Sequence, residues 1–185
     1  MIELTATHGD IWKACLPKLI GVVSEVIKHK DFEEATRSSA LEMITSLAEN
    51  MAALLRKELD QLKTVFFPAL ALMMTELEHA DDLQAWLAEE DAELQTKNDP
   101  ASVAAETVQR ISVYLGPKTT LACCSDLIQG GISSADWKEQ CMGFNMLGMI
   151  SEACKKEFKA NLDAVAKQSV SGFASENTRV RFEAL

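Results

Sequence analysis

Apolar residues recur along this chain at spacings of three and four, and that rhythm predicts helices almost throughout. Leu16, Leu19, Ile20, Val23 and Ile27 form one stripe, predicting a helix over roughly 10–28. A second is predicted over 34–50, with Leu41, Ile44 and Leu47 on one face. A third is predicted over 59–78, from Leu62, Val65, Phe66, Leu70, Met73, Met74 and Leu77. Pro68 falls inside that pattern, so the helix is expected to kink there or to begin near Thr64. Patterning resumes near Ser102 and stops at Gly116-Pro117. Leu121, Cys124, Leu127 and Ile128 mark the next helix, which Gly130-Gly131 is expected to end. Asp136 then caps a helix carrying Met142, Phe144, Leu147, Ile150 and Cys154. Phe158, Leu162, Val165, Val170 and Phe173 mark another, and Leu185 is expected to sit in the first turns of one more.

The pattern also repeats. Ala40–Glu49 lies over Gly143–Glu152 with apolar on apolar and small on small. A shift of 38 residues places Phe182 on Phe144 and Leu185 on Leu147, and Thr107–Leu115 fits the frame less cleanly. Pro17 and Pro68 stand similarly ahead of second-helix stripes. Two helices per unit of about 40 residues is the spacing of HEAT repeats. A pair buries only one of its faces, so stacking on its neighbours builds the core. The expected fold is therefore all-α: an α-α superhelix (HEAT-repeat solenoid) of about four antiparallel helix pairs over residues 1–185. It is read as a segment of a longer chain, cut inside its last repeat. An ordinary helical bundle with chance self-similarity is the plainer alternative.

Composition agrees with helix. Only 8 Gly and 4 Pro interrupt 185 residues, and aromatic content is 6%. The net charge of -10 repels nucleic acid on average and suits a basic partner, or simply solubility. Cys15, Cys123, Cys124, Cys141 and Cys154 are odd in number and lie mostly among apolar helical residues, so they read as small hydrophobes in a reducing compartment. No stretch nears the roughly 20 apolar residues that span a membrane. Nothing marks a cofactor site. Glu76-x-x-His79 is a single metal-type unit without a second, and no catalytic set is marked, so a binding scaffold is expected rather than an enzyme.

One segment breaks the helical character. About residues 76–99 form an acidic insertion whose part from Glu76 to Glu93 holds eight carboxylates and no Lys or Arg. Leu83, Trp86 and Leu87 are spaced as one face of a short helix there, with Asp81 or Asp82 as its cap. Clustered carboxylates would steer and hold a Lys/Arg-rich peptide, and a solvated loop is the bland alternative. Trp86 stands out as a surface for an aliphatic Lys stem. Glu76, Asp126 and Asp163 are further acids that second helices could present on an inner face.

Residues 40–57 (ALEMITSLAENMAALLRK), the run LALMMTELE, and DWKEQCMGFNMLGMISEACKKEF followed by NTRVRFEAL resemble the central HEAT repeats of the karyopherin-beta (importin-beta) family, closest to the importin-beta-3 type. The resemblance covers nearly the whole chain in order. It implies a nuclear import receptor that shuttles between cytoplasm and nucleus, binds basic nuclear-localisation cargo on its concave face, meets nucleoporins, and releases cargo to RanGTP. It implies no nucleic-acid or membrane partner. The family's acidic loop carries over to Asp81, Asp82, Glu89, Glu90, Asp91 and Glu93, with Trp86 among them. Here the loop is longer, and Leu83, Trp86 and Leu87 interrupt it. A structural HEAT scaffold of a multiprotein complex, for example a phosphatase, is the alternative reading.

Overall fold

The computed structural model describes residues 12–88 and 99–185, and among these there is helix and turn but no strand. In chain order α1 is Leu16–Lys28 and α2 is Glu34–Leu55, followed by a 3-10 turn at Arg56–Glu58. The helical run α3 joins Leu59–Gln61, a π-helical turn at Leu62–Phe66, and Phe67–Met74. Then come α4 (Leu83–Ala88), α5 (Pro100–Leu115), α6 (Pro117–Ile132), α7 (Trp137–Met149), α8 (Lys155–Ala160), α9 (Leu162–Gly172) and α10 (Thr178–Glu183).

The helices form two layers. In one, α2 packs on α5, α5 on α7, and α7 on α10; in the other, α1 packs on α3 and α3 on α6. The layers join chiefly between successive pairs, α1 against α2, α3 against α5, and α6 against α7 most extensively. The expected solenoid of helix pairs is what forms. A single apolar cluster runs through it, from Trp12 and Leu16 by way of Leu41, Phe66 and Val108 to Ile150 and Cys154. A smaller cluster of Cys141, Phe144, Val180 and Ala184 seats α10 on α7, with Leu77 and Trp137 packed beside it. The stripe predicted in the first segment is the buried face of α1: Leu16, Ile20, Val23 and Ile27 are all inside.

Several boundaries differ from expectation, each for a physical reason. α2 continues past Asn50 to Leu55, bending at Met51, whose φ of -140° is not helical. α3 does not begin near Thr64: the helical run starts at Leu59 and continues past Pro68. An α-helix would jam the Pro68 ring against the carbonyl of Thr64. Instead the preceding turn widens into a π-turn, with the Phe67 amide donating to the carbonyl of Leu62, and the run ends at Met74 rather than Glu78. Pro68 is thus in the first turn of a helix, as are Pro17 in α1 and Pro117 in α6.

Gly130-Gly131 does not end α6. The helix runs through both to Ile132 because glycine is needed where α6 meets α7. A Cβ on Gly131 would lie 2.7 Å from the Glu139 carbonyl oxygen, and one on Gly143 would lie 2.7 Å from the Ile132 nitrogen. Both obstacles are backbone, so neither can yield by a rotamer change. α7 stops at Met149 and gives way to turns before Cys154. The last predicted stripe is divided at Asn161 into α8 and α9. α9 keeps Leu162 and Val170 exposed, as is Phe173 just beyond it, and Gly172 is its one buried residue.

Gly131→Ala should lower unfolding free energy by about 1–3 kcal/mol, as overpacking against fixed backbone does. Gly130→Ala, whose Cβ meets nothing within 4 Å, should instead raise it by roughly 0.5–1 kcal/mol through helix propensity. Urea unfolding of the two variants checks the opposite signs.

Candidate functional site

The acidic insertion leaves the core where α3 ends. Its first carboxylate, Glu76, is not presented to a partner. Arg37 of α2 grips it bidentately, Nη1 to Oε2 and Nη2 to Oε1, each at 2.8 Å. The same guanidinium donates Nε and Nη2 to the carbonyl oxygen of Ile27, near the end of α1, at 2.9 and 2.6 Å. The Arg37 and Glu76 side chains are 3% and 10% exposed, so this fork joins α1, α2 and the end of α3 in the interior. Glu76 is structural, which corrects its reading as an inner-face acid.

The chain then turns at His79, which adopts a left-handed φ of 48°. Asp82 caps α4 as expected, its Oδ1 accepting from the amides of Gln84 and Ala85 at 3.1 and 3.0 Å. Asp81 is exposed beside it. At the far end of the insertion Asp99 caps α5, accepting from the Ser102 amide at 3.1 Å and from its hydroxyl. Glu89, Glu90, Asp91 and Glu93 lie outside the described residues.

Trp86 is half-buried, and a residue of this chain occupies its face. The Phe182 ring meets it edge-on at 5.6 Å. The guanidinium of Arg179 lies 5.2 Å from the Trp86 ring and 5.8 Å from that of Trp137, so it sits near both indoles. Arg179 also donates Nη1 to the Glu78 carbonyl at 2.6 Å. Beside this contact lies a cavity of about 80 Å³ whose lining includes Leu77, Glu78, Ser102, Asn145 and Glu183. The insertion's helix is therefore fastened to α10 by Arg179, the first of the two arginines of the NTRVRFEAL motif. Nothing local in the sequence pairs Trp86 with Arg179, the cation that lies against its ring.

Two further arginines tie repeats together. Arg110 of α5 pairs with Glu42 and Glu49 of α2, both at 2.8 Å, and the hydrogen bonds it donates to the two carboxylates hold its proton more tightly than usual. Arg56 donates to the carbonyl oxygens of Leu115 and Tyr114 at the end of α5, at 2.9 and 2.6 Å. On the second layer, Asp126 is exposed and pairs with Lys63 at 3.0 Å, and Asp163 is exposed on α9.

Among the described residues no group of His, Cys, Asp and Glu could hold a metal ion, and no helix is long and apolar enough to cross a membrane. The thiols of Cys123, Cys124, Cys141 and Cys154 are buried. Burial pushes Cys123 and Cys154 up to about 11 and Cys141 up to about 12, and it raises Cys124 as well. At neutral pH these are packing groups, not nucleophiles.

The comparisons with known proteins fit this geometry. The importin repeat family model matches residues 29–122, just over half of the chain. The chain belongs to the karyopherin-beta (importin) family. It is similar to importin subunit beta-3 of Saccharomyces cerevisiae, 27% identical over 155 residues, covering 83% of this chain and 14% of that protein. It is also similar to a probable importin-5 homolog of Dictyostelium discoideum, 25% identical over 181 residues, covering 95% of this chain and 16% of that one. The chain thus spans about a seventh of these relatives. The crystal structure of Kap121p bound to RanGTP superposes with a TM-score of 0.89 at 23% identity, over 99% of this chain and 18% of that one. That of Kap121p bound to the SUMO protease Ulp1p gives 0.90 over the same shares. The karyopherin solenoid is thus the fold of essentially all of this chain.

Glu76→Ala should cost about 3–5 kcal/mol of stability, because it leaves the Arg37 charge buried and unpaired. Glu76→Leu combined with Arg37→Met should recover most of that loss. Denaturant unfolding of the single and double variants measures both. The thiols give a separate expectation. Unfolded thiols ionise near their ordinary value of 9, whereas the folded ones hold their protons to about 11–12. Stability should therefore be undiminished by thiol ionisation below pH 9 and fall as pH rises from there toward the folded values. Unfolding midpoints from pH 7 to 10.5 would show the fall, and replacing Cys141 with Ala should reduce its steepness.

Proposed function

We propose that this chain is a segment of a nuclear import receptor that binds basic cargo signals and answers to RanGTP, acting as a scaffold and not as a catalyst. The carrying observation is the family match together with the superposition of 99% of the chain on Kap121p, a karyopherin crystallised with RanGTP. Kap121p has also been crystallised with Nup53p, Pho4p and Ulp1p. By extension, the receptor containing this segment meets nucleoporins and protein cargo and shuttles between cytoplasm and nucleus.

The electrostatics support a basic partner. The chain carries a net charge of -10, and its densest run of carboxylates falls within one insertion. Asp81, Asp82, Glu89, Glu90, Asp91 and Glu93 are the acids proposed to attract Lys/Arg-rich sequence, with long-range steering screened within about 10 Å at 0.1 M salt. Trp86 enters this proposal as the residue that positions the run, since Arg179 already lies against its ring.

Fluorescence anisotropy with a labelled Lys-rich nuclear localisation peptide tests the reading. Binding should be measurable near 50 mM salt and weaken several-fold near 150 mM, as an electrostatically driven contact does. Converting Glu89, Glu90, Asp91 and Glu93 to their amides should weaken it further, and RanGTP should displace the peptide. Absence of binding at low salt would remove cargo capture from this segment. Unchanged affinity in the amide variant would clear the insertion of the role.

A further inference from the structure

In a helical solenoid the principal packing runs between adjacent repeats, so bending is distributed over many small interfaces. The described part of the insertion departs from that rule. It leaves the pair α2/α3, while α5/α6 and then α7 with α8 and α9 follow in sequence. α10 opens the unit after those. Yet Arg179 of α10 reaches the Glu78 carbonyl across a separation of 101 residues, and Phe182 of α10 meets Trp86 of α4.

We propose that the insertion is a brace: residues 75–87 tie the first helix pair to α10, three units on, and so restrict flexing of the solenoid. Three features of the contact suit a fastening that opens and closes rather than a piece of core. Apart from Leu77 beside the apolar cluster that seats α10, the described contact rests on one ring pair, one guanidinium near two indoles, and one hydrogen bond. Its flanking apolar residues, Leu83 and Leu87, stay 44% and 55% exposed, so among the described residues little else holds α4 down. Next to Trp86 the packing leaves the 80 Å³ cavity, and the Asn145 Oδ1 atom close by is buried without a hydrogen bond from the protein. A contact with room beside it can part without tearing a close-packed interior.

The parting would not unfold either partner. Asp82 caps α4 independently of α10. Asn177 caps α10, accepting from the Arg179 amide at 2.9 Å, and Val180 and Ala184 keep α10 on α7. Opening therefore frees the relative motion of the units while each keeps its own packing. The brace rests on the contacts of the described residues alone, and it stands whether or not the segment binds cargo.

Small-angle X-ray scattering and hydrogen exchange on the 185-residue chain test it with Trp86→Ala. The expected result is a larger maximum dimension at unchanged helix content. Residues 75–82 and 178–183 should together exchange about tenfold faster while α5 and α6 keep their protection. Trp86→Phe should restore most of both. If Trp86→Ala lowers helix content, Arg179→Lys serves instead, because it keeps the charge and loses the planar guanidinium, with the same expectations. A scattering curve that superposes on the wild type, with faster exchange confined to α4, would overturn the proposal.

Discussion

An amphipathic helix pair cannot cover its own outer apolar faces, and everything else in this structure follows from that shortage. The core is continuous from Trp12 to Cys154 because each pair completes the burial of the next. Stacking creates a second problem at the seams, where helix C-termini bring unsatisfied carbonyl groups against neighbouring repeats. Arginine meets it repeatedly. Arg37 serves Ile27 at the end of α1, and Arg56 serves Tyr114 and Leu115 at the end of α5. A rigid, permanently charged fork can reach two acceptors at once, which lysine cannot reproduce.

The architecture was legible because it is written in periodicity. The stripes of α1, α2 and α5 appear in the sequence at the positions that are buried. The match of Ala40–Glu49 with Gly143–Glu152 corresponds to two helices of one layer, and their N-caps, Glu33 and Asp136, stand in the same register. The final repeat was read less well. Its caps, Asp136 and Asn177, are 41 residues apart, whereas matching Phe144 with Phe182 needs 38. The slip is close to one helical turn, so it leaves the apolar face almost unchanged, and hydrophobic pattern alone does not detect it. The glycines misled for another reason. Gly130 and Gly131 look identical along the chain, and only the approach of α7 shows that one of them is required.

The candidate site was legible in outline. The caps and the short helix of the insertion follow from local rules, so Asp82 and α4 were found. The roles of Glu76 and Trp86 depend on partners 39 and more residues away, Arg37 and Arg179, and no local rule links such positions. Both partners are cations drawn to acidic or aromatic groups of the same chain. The surface a basic ligand would meet is therefore not the full set of carboxylates in the sequence but what remains after internal arginines have taken their share.

The π-helical turn at Leu62–Phe66 has a consequence beyond accommodating Pro68. An extra residue within one turn rotates everything after it by roughly 100° about the axis. α3 is thereby offset in phase along its own length: α1 and α6 pack on both portions, while the later one also faces α5. In mechanical terms it is a universal joint cast in one piece. The phase in which the later part of α3 meets α5 is thus adjusted inside the helix, by a single residue of surplus length.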